Sequence, residues 1–304
     1  MRAAMNLVKR NIYIFIRDRG RVISSVLSML IVLGLMILFL GDMNSQDIVT
    51  ALERFGRNRD TAADEANAKY LISMWTLAGI LISNTVTVTM TAMGSMIEDE
   101  VNMRLASFYV TPVKRLGIAF GYIFSAWCIA VFLCTVTLAV SQVYFAVTGQ
   151  TTLVWTALLQ LLGMIVLNAF VYAAIAYFIA LFVHSVGAWN GILSIVGTLV
   201  GFVGAIYLPM SVLPESVADI LRHLPVLHGA AMMRVVCTKE AVEKTFAGIP
   251  AEAAEVFREK MGITIVMGDE PVSFVVQAGC LLGLGLLMIA ASAVISRRKL
   301  LYDR

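Results

Sequence analysis

The stretch that decides the fold opens as LGIAFGYIFSAWCIAVFLCTVTLAV (116–140) and continues to Pro214 without a single Asp, Glu, Lys or Arg. About 20 apolar residues carry a helix across the hydrocarbon core of a bilayer, so an uncharged run of this length is several crossings rather than one buried core helix. Composition agrees: 60% of the 304 residues are hydrophobic and 14% are charged, against about 25% charged in an ordinary soluble domain. The mean hydropathy is +0.86. The chain reads as an all-α membrane protein.

Outward from that run, hydropathy predicts six spans, at 22–41, 70–97, 116–147, 153–183, 189–208 and 272–296, within one membrane domain covering 1–304. A turn is expected over His184–Gly191, the one polar, glycine-bearing interruption in a stretch too long for a single crossing. Basic residues beside spans mark the cytoplasmic side. Arg17, Arg19 and Arg21 abut the first span, Arg297, Arg298 and Lys299 the last, and Arg104, Lys114 and Arg115 lie between the second and third. An even span number therefore puts both termini in the cytoplasm. The segments 42–69 and 209–271 then face outward, the latter with nine acidic and six basic residues. The basic leader lacks the small-residue site of a cleavable signal. Met5, Val8, Ile12, Phe15 and Ile16 recur at helical spacing among basic residues, which predicts an amphipathic helix with its apolar side in the lipid.

Several function classes drop out. A net charge of +3 without a dense basic block gives nucleic acid no footing. Cys128, Cys134 and Cys280 sit in apolar runs and Cys237 alone in a polar segment, expected to face outward; neither these nor the scattered His184, His223 and His228 have metal-ligand spacing. No metal and no catalytic residue is expected. The spans carry no ionisable group except His184 at a boundary, whereas ion-coupled carriers keep such groups in the membrane. No phosphate-binding loop is present either. If the chain transports, energy comes from a partner.

The charged loop Glu98-Asp-Glu-Val-Asn-Met-Arg104-Leu-Ala-Ser-Phe108-Tyr109-Val-Thr111-Pro112 reads as a short helix, its acidic residues favoured at the start by the helix dipole and its end set by Thr111-Pro112. Its order, E-x-E, a short helix, then T-P-V-K, resembles the loop between the second and third spans of type-two ABC transporter permeases. Ile16-Arg17-Asp18-Arg19 is similar to that family's interfacial helix and the Arg-Asp pair opening its first span. Leu213-Pro214-Glu215, then Pro225, then Arg234 resembles the family's segment of short outer-leaflet re-entrant helices before the sixth span. The family's frequent Gly-Thr after the acidic pair is replaced here by Asn102-Met103, and the outer segment is lengthened by a helical portion over 239–260.

The resemblance implies a non-catalytic permease subunit of an ATP-driven exporter, without a cofactor of its own, ATP being bound by a separate ATP-binding subunit. It implies assembly with a second copy or a homologous permease. Glu98, Glu100 and Arg104 would steer docking of the ATPase, Phe108 and Tyr109 would anchor it, and Thr111 and Pro112 would close the coupling helix. Ser83, Asn84, Thr85, Thr87, Thr89 and Thr91 make the second span rich in polar side chains; Asn84, Thr85, Thr87 and Thr91 are candidates for a permeation path, the alternative being bonds to helix backbone. The pairs Gly197/Gly201 and Gly279/Gly283 suit close helix packing within the subunit. An uncharged path and 17 methionines suit an amphipathic or apolar cargo such as a drug, peptide or lipid. Two other classes stay open, an ATP-independent channel or secondary carrier and a membrane sensor or scaffold. A neighbouring reading frame for an ATP-binding cassette would favour the exporter.

Overall fold

A computed structural model describes residues 2–35, 46, 48–50, 52, 60–105, 115–268 and 270–302, with the backbone alone at 28, 29, 31–33, 35 and 297–302. It is almost wholly helical. An amphipathic α1 (Arg2–Arg17) is followed by α2 (Arg19–Leu35), α3 (Thr61–Val101), α4 (Arg115–Val147), α5 (Trp155–Ala180) and α6 (Val186–Val203). Then come α7 (Glu215–Arg222), α8 (Pro225–Thr245) and α9 (Ala251–Lys260), a two-stranded hairpin of β1 (Val266–Met267) and β2 (Glu270–Pro271), and α10 (Phe274–Tyr302). Among the described residues, five helices are long and apolar enough to cross a membrane: α3, α4, α5, α6 and Phe274–Ser296 of α10. The first expected span, 22–41, coincides with α2 as far as Leu35, and its remainder lies outside the described residues.

The centre of the bundle is α3. At 41 residues it is about 60 Å long, twice the ~30 Å hydrocarbon core. Asp60 starts it, the carboxylate accepting from the Ala62 and Ala63 amides at 3.1 and 3.3 Å. Helices α4, α5, α6 and α8 surround it, so apolar residues occur on every side: Leu71, Met74, Trp75, Leu77, Ile80, Leu81 and Ile82 are all fully buried. By contrast α6 and α10 leave most of their surface open.

Three details depart from the sequence reading. The turn between the fourth and fifth spans occupies 181–185, ahead of the expected His184–Gly191, because Ser185 is an N-cap whose Oγ accepts from the Ala188 amide at 3.1 Å. The helical portion expected over 239–260 is two helices, broken by Gly248 at φ +77° and Pro250. Gly197, Gly279 and Gly283 meet no atom that a Cβ would touch, so these pairs do not pack within the described chain; only Gly201 is in close contact, with Tyr207.

The apolar side of α1 is a further correction. Leu7, Val8 and Phe15 are buried against the protein, chiefly along α4, whereas Met5, Tyr13 and Ile16 on the other side are exposed. The approach is close because residue 121 is glycine: a Cβ there would lie 2.6 Å from Leu7 Cδ2. Cys237, in the segment expected to face outward, is completely buried in α8, where burial raises its thiol pKa.

Candidate functional site

At the end of the bundle where α1 lies, the last turn of α3 carries three consecutive carboxylates. Successive helical residues point about 100° apart, so Glu98, Asp99 and Glu100 reach three different neighbours. Glu98 pairs with Arg21 of α2. Asp99, 2% exposed, receives two hydrogen bonds of 2.6 Å from Arg10 of α1 and one of 2.7 Å from the Tyr122 hydroxyl of α4. Glu100 Oε1 lies 2.7 Å from His184 Nδ1 in the α5–α6 turn. Arg104, largely exposed, stands 3.6 Å from Asp99.

This corrects the expectation that the carboxylates start a short helix: they end a long one. Negative charge at a helix C-terminus opposes the dipole, and the surrounding arginines offset it. The network extends through Asn11, whose Nδ2 donates to Ser125 Oγ at 3.3 Å, while Ser125 donates to the Tyr122 carbonyl. The carboxylate bonded to it raises the Arg10 guanidinium pKa above its ordinary value. Asp99, Arg10, Asn11 and Tyr122 were not singled out from sequence; the available signal was an acidic residue three positions beyond Met96, on the inner side of α3. Phe108, Tyr109, Thr111 and Pro112 lie outside the described residues.

Beside this cluster, between α2 and α3, is a polar cleft of about 420 Å³. Its walls are Ser24, Ser25 and Arg21 on one side and Asn84, Thr87 and Thr91 on the other. Thr85 is turned away, fully buried, with its hydroxyl donating to the Leu81 carbonyl at 2.7 Å and 3.5 Å from Cys134 Sγ. The structure thus brings three of the four path candidates together and separates the fourth. Thr87 and Thr91 donate to the carbonyls of Ser83 and Thr87, at 3.0 and 2.8 Å, so their hydroxyl protons are engaged by α3 and their oxygen lone pairs are what remain for the cleft. Asn84 Nδ2 donates to Thr137 of α4 at 3.3 Å.

At the opposite end, Arg234 of α8 is fully buried. Its guanidinium donates to the carbonyls of Gly204 and Ala205, both at 2.8 Å, and of Gly262 at 3.1 Å, and lies 4.6 Å from the Trp75 ring centre. Trp75 Nε1 in turn donates to the Met261 carbonyl at 2.8 Å. Burial pushes the Arg234 pKa down to about 9, so it remains charged at neutral pH, and it caps carbonyls that the end of α6 leaves unpaired. Gly262 is required twice over, by a φ of +62° and because a Cβ would stand 3.1 Å from the guanidinium. Among the described residues, no group of three or more His, Cys, Asp or Glu could hold a metal ion.

A family model described as ABC-2 family transporter protein covers residues 57–294, from before α3 almost to the end of α10. No curated protein matches the chain.

Proposed function

Because the chain belongs to the ABC-2 transporter family, the type-two ABC transporter permeases, we propose that it is the permease of an exporter that moves an amphipathic or apolar cargo out of the cytoplasm. It is a multi-pass membrane subunit of an ABC transporter, and permeases of this family normally work with an ATP-binding subunit. On this reading it sits in the cell membrane as six spans with both termini cytoplasmic, paired with a second permease and two ATPases. The α1 end faces the cytoplasm, and α7 and α8 occupy the outer leaflet.

The observation that carries the reading is the double position of Arg21. It lines the polar cleft and pairs with Glu98, at the start of the segment proposed to meet the ATPase. Helix α3 runs unbroken from that segment past Thr91, Thr87 and Asn84. Closure of the ATPases against residues 98–112 would displace the end of α3, and a continuous helix moves its cleft face with it. Glu98 would carry α2 along through Arg21, and Glu100 the α5–α6 turn through His184. Arg104, Phe108 and Tyr109 supply the docking contacts, and Thr111 and Pro112 close the segment. The cleft then opens outward for cargo.

The test is uptake into inside-out vesicles carrying this subunit alone or with its ATPase, an ionophore being present throughout. ATP-dependent accumulation by the pair and none by the lone chain supports the reading. Accumulation by the lone chain that the ionophore abolishes overturns it in favour of a secondary carrier.

A further inference from the structure

Away from the polar cleft, helices α4, α5 and α10 enclose a groove of about 670 Å³. Its walls are apolar and aromatic: Phe120 stacks on Phe124 with centroids 5.1 Å apart, Phe124 meets Trp127 at 5.0 Å, and Phe170 and Ile289 face them. One end is cationic. Arg115 lines the rim and donates to the Ser296 carbonyl at 3.2 Å, which ties the start of α4 to α10 and fixes the guanidinium there. Along α4, Arg115 to Trp127 is about 18 Å at 1.5 Å per residue, close to half of the ~30 Å hydrocarbon thickness. The groove therefore has the length of one leaflet, with its charge at headgroup depth.

Two further observations name the occupant. Ser292 lines the groove, is 2% exposed, and its hydroxyl has no partner among the described residues. It lies one helical turn below Ser296, at the level where the ester carbonyls of a lipid begin beneath its phosphate, and those carbonyls accept hydrogen bonds. In sequence, Lys114 precedes Arg115 and Arg297-Arg298-Lys299 follows Ser296. Juxtamembrane basic residues attract anionic lipid headgroups.

We infer that the groove is a binding site for an anionic phospholipid of the leaflet at the α1 end, with the phosphate at Arg115, an ester carbonyl at Ser292, and an acyl chain along Phe120, Phe124 and Ile289 toward Trp127. The inference stands apart from the transport reading, since groove and cleft share no lining residue.

The full chain in detergent is titrated with phosphatidylglycerol or phosphatidylcholine brominated on the acyl chain. Quenching of Trp127 is obtained as the difference between the wild type and Trp127→Phe. Phosphatidylglycerol should quench at about fivefold lower mole fraction per cationic contact, from the affinity of one basic residue for an anionic headgroup. Arg115→Gln should remove that preference and leave the phosphatidylcholine response. Ala293→Phe, or Ala119→Phe as a second blocking variant, fills the groove without altering any charge or adding a tryptophan, and should remove the Trp127 signal for both lipids. Equal quenching by the two lipids in the wild type overturns the inference, as does an undiminished preference in both blocking variants, which marks ordinary boundary lipid. Stronger quenching by a brominated alkylammonium than by phosphatidylglycerol assigns the groove to cargo instead. Loss of all quenching as protein concentration rises assigns it to a second copy of the chain.

Discussion

Arg10 grips Asp99 through both terminal guanidinium nitrogens at 2.6 Å, joining the first helix of the chain to the end of a helix 89 positions further on. The carboxylate is 2% exposed and the arginine side chain 29%, so the pair is half embedded and the Tyr122 hydroxyl completes it. Removing one member of a buried pair leaves the other without compensation. Asp99→Ala should therefore destabilise the protein by about 3 kcal/mol, the lower end of the usual range because Arg10 can turn toward water. Thermal unfolding in detergent measures it. The pair Arg10→Met with Asp99→Leu should be less destabilised than the sum of the single variants; additivity would show that the two groups are not coupled.

Glu98 invites a charge exchange. Glu98→Arg places like charges together and should cost about 1 kcal/mol, the scale of partly exposed pairs. Glu98→Arg with Arg21→Glu restores the attraction in reverse. If Glu98 acts by tying α2 to α3, the exchanged protein recovers both its melting temperature and its ATP-driven transport. Recovery of stability without transport would place Glu98 in direct contact with the ATPase.

Much of this was legible in the sequence, and the rest was not for identifiable reasons. The stretch 116–214 admits no reading but membrane helices, since nothing in it can be solvated as charge. The sequence places the three carboxylates at the start of a short helix because their partners, Arg10, Arg21 and His184, are remote in sequence; only in three dimensions do they let α3 continue to Val101 against its own dipole. Ser185 outweighed the glycines after it because a side-chain acceptor for a free amide is a stronger start signal than a flexible backbone. Arg234 stood in a polar stretch assigned to the outside, and its burial depends on three carbonyls and an indole that no local pattern announces. Thr85 and Thr87 are indistinguishable in sequence, and only the placement of α2 and α4 separates core from cleft.

That separation is testable. Thr87→Trp and Thr91→Trp fill a space of about 420 Å³ and should lower ATP-dependent cargo accumulation by about tenfold or more, equivalent to 1.4 kcal/mol, with insertion unchanged. Thr85→Val loses a buried hydrogen bond and should cost about 1 kcal/mol of stability while leaving transport within about twofold. Equal effects from all three on transport would place the path elsewhere.

The Arg234 junction should tolerate no replacement. A lysine has one ammonium and cannot span the carbonyls of Gly204, Ala205 and Gly262 together. Arg234→Lys should cost about 3 kcal/mol, as for other uncompensated buried groups, and Trp75→Phe about 1 kcal/mol through the lost bond to Met261. Proteolysis of the outer segment, with the wild type as reference, measures whether that segment loosens first.

The orientation of the chain turns on the same segment. Cys237 cannot report it, being completely enclosed, so a new thiol is needed on a surface that no core contact requires. Glu255 in α9 is exposed. In a variant with Cys128, Cys134, Cys237 and Cys280 replaced by Ala or Ser, Glu255→Cys should react with a membrane-impermeant maleimide in intact cells. Ser185→Cys, in the turn that holds His184 beside Glu100, should react only after lysis. The pair matters because basic residues beside spans set orientation, and the two sites lie on opposite sides only if an odd number of crossings separates them. Of the spans, α6 alone runs between 185 and 255. Labelling of both in intact cells would mean that α6 does not cross, and labelling in the reverse order would invert the protein and place the acidic end of α3 outside, where no ATPase could reach it.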